Sequence, residues 1–453
     1  MQEIRVLSAT GVLGSGFARA SFDRGITKKP HFIGCDAGST DPGPYYLGEG
    51  VCAFSRESVK RDLELMVEGV IKKKIPLIIG SCGTAGGDPN LKWTYEILKE
   101  IASRREYHFK VALIHSEQKR SYLLKKFDES KIYSLKYAPK IDTNTFKRAQ
   151  RIVGMMGIEP IIKAFQSEAQ IILCGRASDT SIFSALPIYW GINPGIVWHA
   201  AKILECGAAA VKNRIFPDSM ISYLKKDHFI IEPLHPKMRC TPQSVAAHNL
   251  YENADPFYLT EPSGTIDTSE AEYTQQSYSA VRVKGSKFHP SKKYTIKLEA
   301  AELIGYQTII IAGIRDPFVI RQFNFWLNSL KDVLKKRLED IFNDEWYKLN
   351  VRVYGKNGVM SNLEPQKIIT SHELGLIFEI TASSQNIANS MASTTRHIAL
   401  HHPIPEWSGS VSSVAFPYSP PTIERGRIYK FSLNHVVEPE NPYEMFPIEF
   451  HYI

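Results

Sequence analysis

Short apolar runs that end in glycine-rich turns constrain this chain most. His31–Asp36 leads into Ala37-Gly38-Ser39-Thr40-Asp41-Pro42-Gly43-Pro44. Ile75–Ile79 leads into Gly80-Ser81-Cys82-Gly83-Thr84-Ala85-Gly86-Gly87, and Glu3–Ser8 into Thr10-Gly11-Val12-Leu13-Gly14-Ser15-Gly16. A fourth run, Gln170–Cys174, is followed by Gly175-Arg176-Ala177-Ser178-Asp179. Runs this apolar and this short read as strands buried on both faces, and the amphipathic stretches between them as the covering helices. Arg56–Lys73 shows the helical stripe best, with Val59, Leu63, Met66, Val67 and Val70 among charges. Residues 1–220 are therefore expected to form an α/β domain with a doubly wound, mostly parallel sheet.

From 221 the texture changes. Strand-like pieces at Asp227–Glu232, Ser279–Lys284, Tyr294–Ala300 and Thr308–Ile314, then a long helix at Val319–Phe342, suggest a β-rich lobe with a linking helix over 221–342. Asn350–Gly355, Leu374–Ala382 and Arg427–Val437 as strands, with a helix at Gln385–His401, suggest a small α+β domain over 343–453. Leu91–Ala102 reads as a helix, and Thr145–Phe165 as helical with an interruption expected near Gly157 and Pro160.

Composition excludes several classes. Of 453 residues, 43% are hydrophobic, too many for a mainly disordered chain. No apolar run approaches the ~18 residues of a membrane-spanning helix. The start, Met1-Gln2-Glu3-Ile4-Arg5-Val6-Leu7-Ser8, reads as strand, not as a basic segment followed by an apolar one, so a cytoplasmic location is expected. The net charge of +8 is mild for this length, and its basic runs are short and scattered. That pattern argues against a nucleic-acid surface and suits an anionic small molecule. Six cysteines without a C-x-x-C pair read as reduced thiols.

Glycines after strands let backbone N–H groups approach an anion. Gly80, Ser81, Gly83, Thr84, Gly86 and Gly87 form the best candidate cradle, although no Lys follows the last glycine as a P-loop requires. Leu7–Gly16 only loosely matches the dinucleotide fingerprint. Asp36, at a strand end, is a candidate general base or Mg²⁺ ligand; Ser39 and Thr40 beside it are candidate substrate contacts. Asp41 fits a turn before Pro42. Arg176 is a candidate clamp for a carboxylate or phosphate, with a structural Arg176–Asp179 pair as the alternative. Cys35, Cys82 and Cys174 are expected to pack rather than react, Cys82 being the least settled. His397 and His401 share a helix face but lack the Glu of a zincin motif, so a helix-end role is preferred. Glu232–Thr241, with His235, Arg239 and Cys240, together with His248, forms a polar stretch that is a candidate second substrate-facing segment, which spacing alone does not establish; His435 has no readable role.

At this point a resemblance becomes visible. Gly34-Cys35-Asp36-Ala37-Gly38-Ser39-Thr40-Asp41-Pro42-Gly43-Pro44-Tyr45-Tyr46-Leu47-Gly48 resembles the AtuA-type family, named for acyclic terpene utilisation. Leu77–Ser81, Gly86-Gly87, Gly175–Ala177, Lys202–Ala208, Ser244–His248, Lys297–Glu299 and Phe431–Glu438 agree. In the family pattern, positions 35, 82 and 174 more often carry small non-thiol residues, so the resemblance weighs further against a catalytic cysteine. The resemblance implies a setting of acyl-CoA or branched-chain carboxylate catabolism and leaves the reaction open.

The expected function is an enzyme of lyase or hydratase type acting on an anionic carboxylate or acyl-CoA, in branched-chain or terpenoid acid catabolism. Asp36 would be the base or Mg²⁺ ligand, and Arg176 would steady a developing enolate. The alternative is a non-catalytic acyl-CoA- or nucleotide-binding subunit that works with a partner enzyme. A homo-oligomer without nucleic-acid or membrane partners is expected.

Overall fold

The computed structural model describes residues 3–251, 253–343, 345–407 and 414–453; Met1 and Gln2 of the expected first strand lie outside these. The chain divides into two units, Met1–Glu302 with Lys430–Ile453, and Leu303–Tyr429. Both crossings fall inside long strands, Ile296–Ile314 and Thr422–Val437, and not at the texture changes near 220 and 342. The reason is strand pairing: Met220–Leu224 and His228–Pro233 extend the sheet of the first unit instead of starting a new lobe.

The first unit is α/β. Five parallel strands lie side by side in the order Ile4–Ser8, Phe32–Asp36, Leu77–Gly80, Ile171–Cys174 and Lys110–Ile114. Antiparallel strands extend both edges, Met220–Leu224 beside the first and Ile448–Tyr452 beside the last, to ten strands in all. Alternate side chains point to opposite faces, so each strand supplies two cores. Leu7, Ile33, Ile79 and Leu173 pack with helices Arg19–Thr27, Arg56–Lys73 and Asp88–Arg105. Val6, Phe32, Ile78 and Ile172 pack with Glu159–Gln166, Asp179–Tyr189 and Pro194–Leu204.

Right-handed crossovers explain that division. The chain steps outward through its first four parallel strands, which places the intervening helices on one face. It then turns back to insert Ile171–Cys174, which places the next helices on the other. A reversal of this kind opens a crevice at the carboxyl ends of the strands.

Two local expectations change. Thr145–Phe165 is not one helix but helix Thr143–Arg148, strand Ala149–Gly154 and helix Glu159–Gln166. The middle segment pairs with Leu298–Glu302, whose hydrogen bonds override local helix propensity. Tyr294–Ala300 and Thr308–Ile314 are parts of one strand, Ile296–Ile314.

The second unit is a small α+β layer. Tyr347–Tyr354 and Leu374–Ala382 pair antiparallel, and Leu374–Ala382 also pairs with Tyr306–Ile314. Helices Phe323–Ile341 and Gln385–Leu400 supply Trp326, Leu330, Met391 and Ala392 to a core with Phe378 and Ile380. His397 and His401 meet edge to face near the end of the second of these helices, with ring centroids 5.7 Å apart.

Candidate functional site

A cavity of about 630 Å³ opens in the first unit at the carboxyl ends of its parallel strands. Gly11, Val12 and Ser15 come from the turn after the first strand. Asp36, Gly38, Ser39 and Asp41 come from the second, and Thr84 and Asp179 from the next two. Glu205, Cys206, Arg214, His248 and Tyr251 also line the cavity.

Asp36 is the last residue of its strand and is 5% exposed. Its Oδ2 accepts the Gly38 N–H at 3.0 Å, and its Oδ1 is buried with no hydrogen-bond partner. Burial, reinforced by the nearby Asp179 carboxylate, pushes the Asp36 carboxyl well above the usual range, against the pull of Arg176. Gly38 adopts φ +137°, and a Cβ there would lie 2.7 Å from the Thr84 Cα, so only glycine allows these two turns to touch. Ser81 and Thr84 hold positive φ without being glycine, a strained backbone of the kind that clusters at functional sites.

Burial raises Glu205, at the carboxyl end of helix Pro194–Leu204, to about 8 despite its ion pair with Lys202. Deeper in the protein, Glu261 accepts hydrogen bonds from Ser178 Oγ (2.6 Å) and Thr180, and burial raises it to about 7. His248 is lowered to about 4 by burial and by the charges of Lys202 and Arg214.

The sequence candidates separate. Asp36, Ser39 and Thr84 line the cavity; Thr40, Gly80, Ser81, Gly83, Gly86 and Gly87 do not. Amides of the 80–87 turn already serve the fold: Ser81 N–H donates to Gly175 O, Cys82 N–H to Cys174 O and Gly86 N–H to Cys82 O. Gly86 is packed so that a Cβ would strike the Arg176 backbone nitrogen. Arg176 does not line the cavity either. Its guanidinium donates to Glu299 (2.9 Å), Ser81 Oγ (3.1 Å), Ala177 O (2.8 Å) and Asp179 (3.0 Å). Burial disfavours its charge, but Glu299 and Asp179 hold it protonated. Burial pushes the thiols of Cys35, Cys82 and Cys174 up, away from a thiolate nucleophile.

The turn after the first strand carries an occupant of its own. Asp62 Oδ2 accepts the N–H groups of Gly14 (3.0 Å) and Gly16 (2.9 Å), where a dinucleotide loop would place phosphate. Among the described residues no three His, Cys, Asp or Glu side chains are grouped to hold a metal ion, and without a cation burial favours the protonated Asp36 carboxyl.

Glu205 and His248 reach the cavity from helices more than 150 residues from Asp36 in the chain; His248 belongs to the polar stretch read as a candidate second substrate-facing segment, of which His235, Arg239 and Cys240 do not line the cavity, whereas no local pattern marks Glu205.

Fold and site together define a doubly wound α/β protein with a carboxyl-lined cavity at the strand ends. The chain belongs to the acyclic terpene utilisation family, AtuA, whose family model matches residues 53–212 and 227–414. Most of the resembling segments lie inside those matches, whereas 34–48 and 431–438 lie outside them. No curated protein and no solved structure matches the chain. Among the described residues, no helix is long and apolar enough to cross a membrane.

Proposed function

We propose that this chain is an enzyme of terpenoid or branched-chain acid catabolism, acting on an anionic carboxylate or acyl-CoA by lyase- or hydratase-type chemistry. Family membership supports the metabolic setting. The observation that carries the chemistry is Asp36: a buried carboxyl on the cavity wall with one oxygen unclaimed. Such a group, held by the Gly38 N–H and desolvated, exchanges a proton with the carbon next to a carbonyl. Exposed Arg214, which also lines the cavity, supplies a cation for the carboxylate or phosphate of the substrate. Arg176 acts as a positioning residue, fixing Asp179 rather than meeting substrate. Ser39 offers a hydroxyl from the wall, although its Oγ already accepts the Asp41 N–H.

Thermal melting with CoA, short and branched acyl-CoAs, free hydroxy acids and ATP, each with and without Mg²⁺, identifies the ligand class. A ligand at about 100 times its Kd adds about 2.7 kcal/mol, a shift of a few degrees. Deuterium incorporation at Cα in D₂O, followed by NMR, then tests the chemistry. Asp36→Asn is expected to slow it by about 10²–10⁴-fold without lowering Tm. Full exchange in that variant overturns the role of Asp36. Tight binding with no exchange or turnover in the wild type favours the alternative, a binding subunit that serves a partner enzyme.

A further inference from the structure

Asp36 and His248 are the two residues on the cavity wall that keep a buried side-chain atom without a hydrogen-bond partner, Oδ1 in one and Nε2 in the other. Each is at least nine-tenths buried. Asp36 ends a strand of the parallel sheet, whereas His248 ends helix Pro242–His248, so the two reach the cavity from separate elements. The imidazole is fixed by stacking on Tyr251, with centroids 5.8 Å apart and planes at 13°. A buried polar atom without a partner is costly unless a ligand completes it.

We propose that His248 is the second catalytic residue of this cavity, a base for an O–H while Asp36 serves the adjacent carbon, and that the substrate is therefore a 2-enoyl or 3-hydroxyacyl compound that gains or loses water. This rests on the reading of Asp36 given above and extends it from proton exchange at Cα to a defined reaction. The two environments favour opposite protonation states, the arrangement that separates an acid from a base. Burial, with Lys202 and Arg214 as the facing cations, keeps the imidazole unprotonated down to about 4. Burial and Asp179 favour the protonated Asp36 carboxyl.

In the hydration direction, a water oxygen forms the bond to Cβ and gives a proton to His248 Nε2. The π pair moves to Cα, which takes the proton leaving the Asp36 carboxyl. The proton on His248 returns to Asp36 through solvent, and the substrate has gained one water.

The test uses the full chain with 3-methylbut-2-enoyl-CoA, 3-hydroxy-3-methylbutanoyl-CoA and their free acids. Incorporation of ¹⁸O at C3 from labelled water is read by mass spectrometry beside α-deuterium exchange. Wild type is expected to incorporate both labels. His248→Gln and His248→Ala should lose ¹⁸O incorporation by about 100-fold or more, and added imidazole should restore a good part of it to His248→Ala alone. A purely structural histidine would show no such rescue. Variants that stay within threefold of wild type overturn the role of His248. Deuterium exchange without ¹⁸O in the wild type overturns it too, while leaving the Asp36 reading intact; neither label in the wild type overturns both. If both variants melt early, the wild-type pH profile decides: an acid limb in ¹⁸O incorporation, set by one group titrating between about 4 and 6.5, supports a histidine base, and a rate that does not fall anywhere in that range overturns it.

Discussion

Asp36 and Asp62 are both buried aspartates that accept glycine N–H groups in the first unit, yet the fold uses them differently. Asp62 has both oxygens engaged, Oδ2 by the Gly14 and Gly16 amides and Oδ1 by Arg61 at 2.6 Å. Asp36, which lines the cavity, engages one oxygen through Gly38 and leaves the other buried without a hydrogen-bond partner. The first carboxylate closes a turn that would otherwise attract an anion. The second is held short of satisfaction, a state that stability alone does not favour and that a ligand would complete.

The largest expected effect separates these residues by activity. Asp36→Asn should cost at least 100-fold in α-exchange, equivalent to about 3 kcal/mol in the barrier, with Tm equal to or above that of wild type. A marked fall in Tm would place Asp36 beside Asp62 as a structural carboxylate and break the contrast.

Next in size is the brace behind the site. Arg176→Ala leaves Glu299 and Asp179 without their buried partner, and removing one member of a buried ion pair costs about 3–5 kcal/mol. Urea unfolding measures this directly. A loss below about 1 kcal/mol would mean that Lys297, 3.0 Å from Glu299, compensates on its own.

Asp62→Ala is expected to be somewhat milder, about 2–3 kcal/mol, because two amides lose their acceptor while part-exposed Arg61 turns to solvent. The sharper readout is ligand binding. With the carboxylate gone, the Gly14 and Gly16 N–H groups are open, and inorganic phosphate should stabilise Asp62→Ala more than wild type in thermal melts. Equal shifts would show that Asp62 only buttresses the turn.

The two aspartates also show what was readable in the chain. Asp36 stood out because strand, acid and glycine turn are adjacent in sequence. The sheet was readable for the same reason, through apolar runs of four to six residues punctuated by glycine. Asp62 sits inside the helix Arg56–Lys73 and has no local mark; its role depends on a turn 46 to 48 residues earlier. Glu205 and Glu261 are hidden in the same way, and His248 was visible only as one member of a polar stretch, since their helices and strand reach the site only after the chain reverses across the sheet. Strand Ala149–Gly154 was read as helix because its partner in Ile296–Ile314 lies about 150 residues away. Arg176 was legible as an important arginine, with Asp179 as its alternative partner; Glu299 and Ser81 were not, because they come from distant segments.

The smallest effect extends the contrast to pH. Arg176 and Lys297 overcome burial to hold Glu299 down at about 2, so its contribution to stability is complete above about 4.5 and is lost as the pH falls towards 2. Glu261 behaves oppositely. Burial raises it to about 7, so between about 4.5 and 7 the folded chain holds a proton that the unfolded chain has released. Stability therefore falls as pH rises through that window, by at most about 3 kcal/mol at roughly 1.4 kcal/mol per pH unit. Glu205, raised to about 8, contributes a slope of the same sign that extends further. Glu261→Gln removes only the first of these slopes while keeping an acceptor for Ser178 and Thr180. Unfolding free energies at pH 5 and pH 8 should thus differ less in Glu261→Gln than in wild type, by about 1–3 kcal/mol. Equal differences would mean that Glu261 is ionised in the folded chain at pH 5, and that the carboxyls behind the cavity are satisfied in the manner of Asp62 rather than held back in the manner of Asp36.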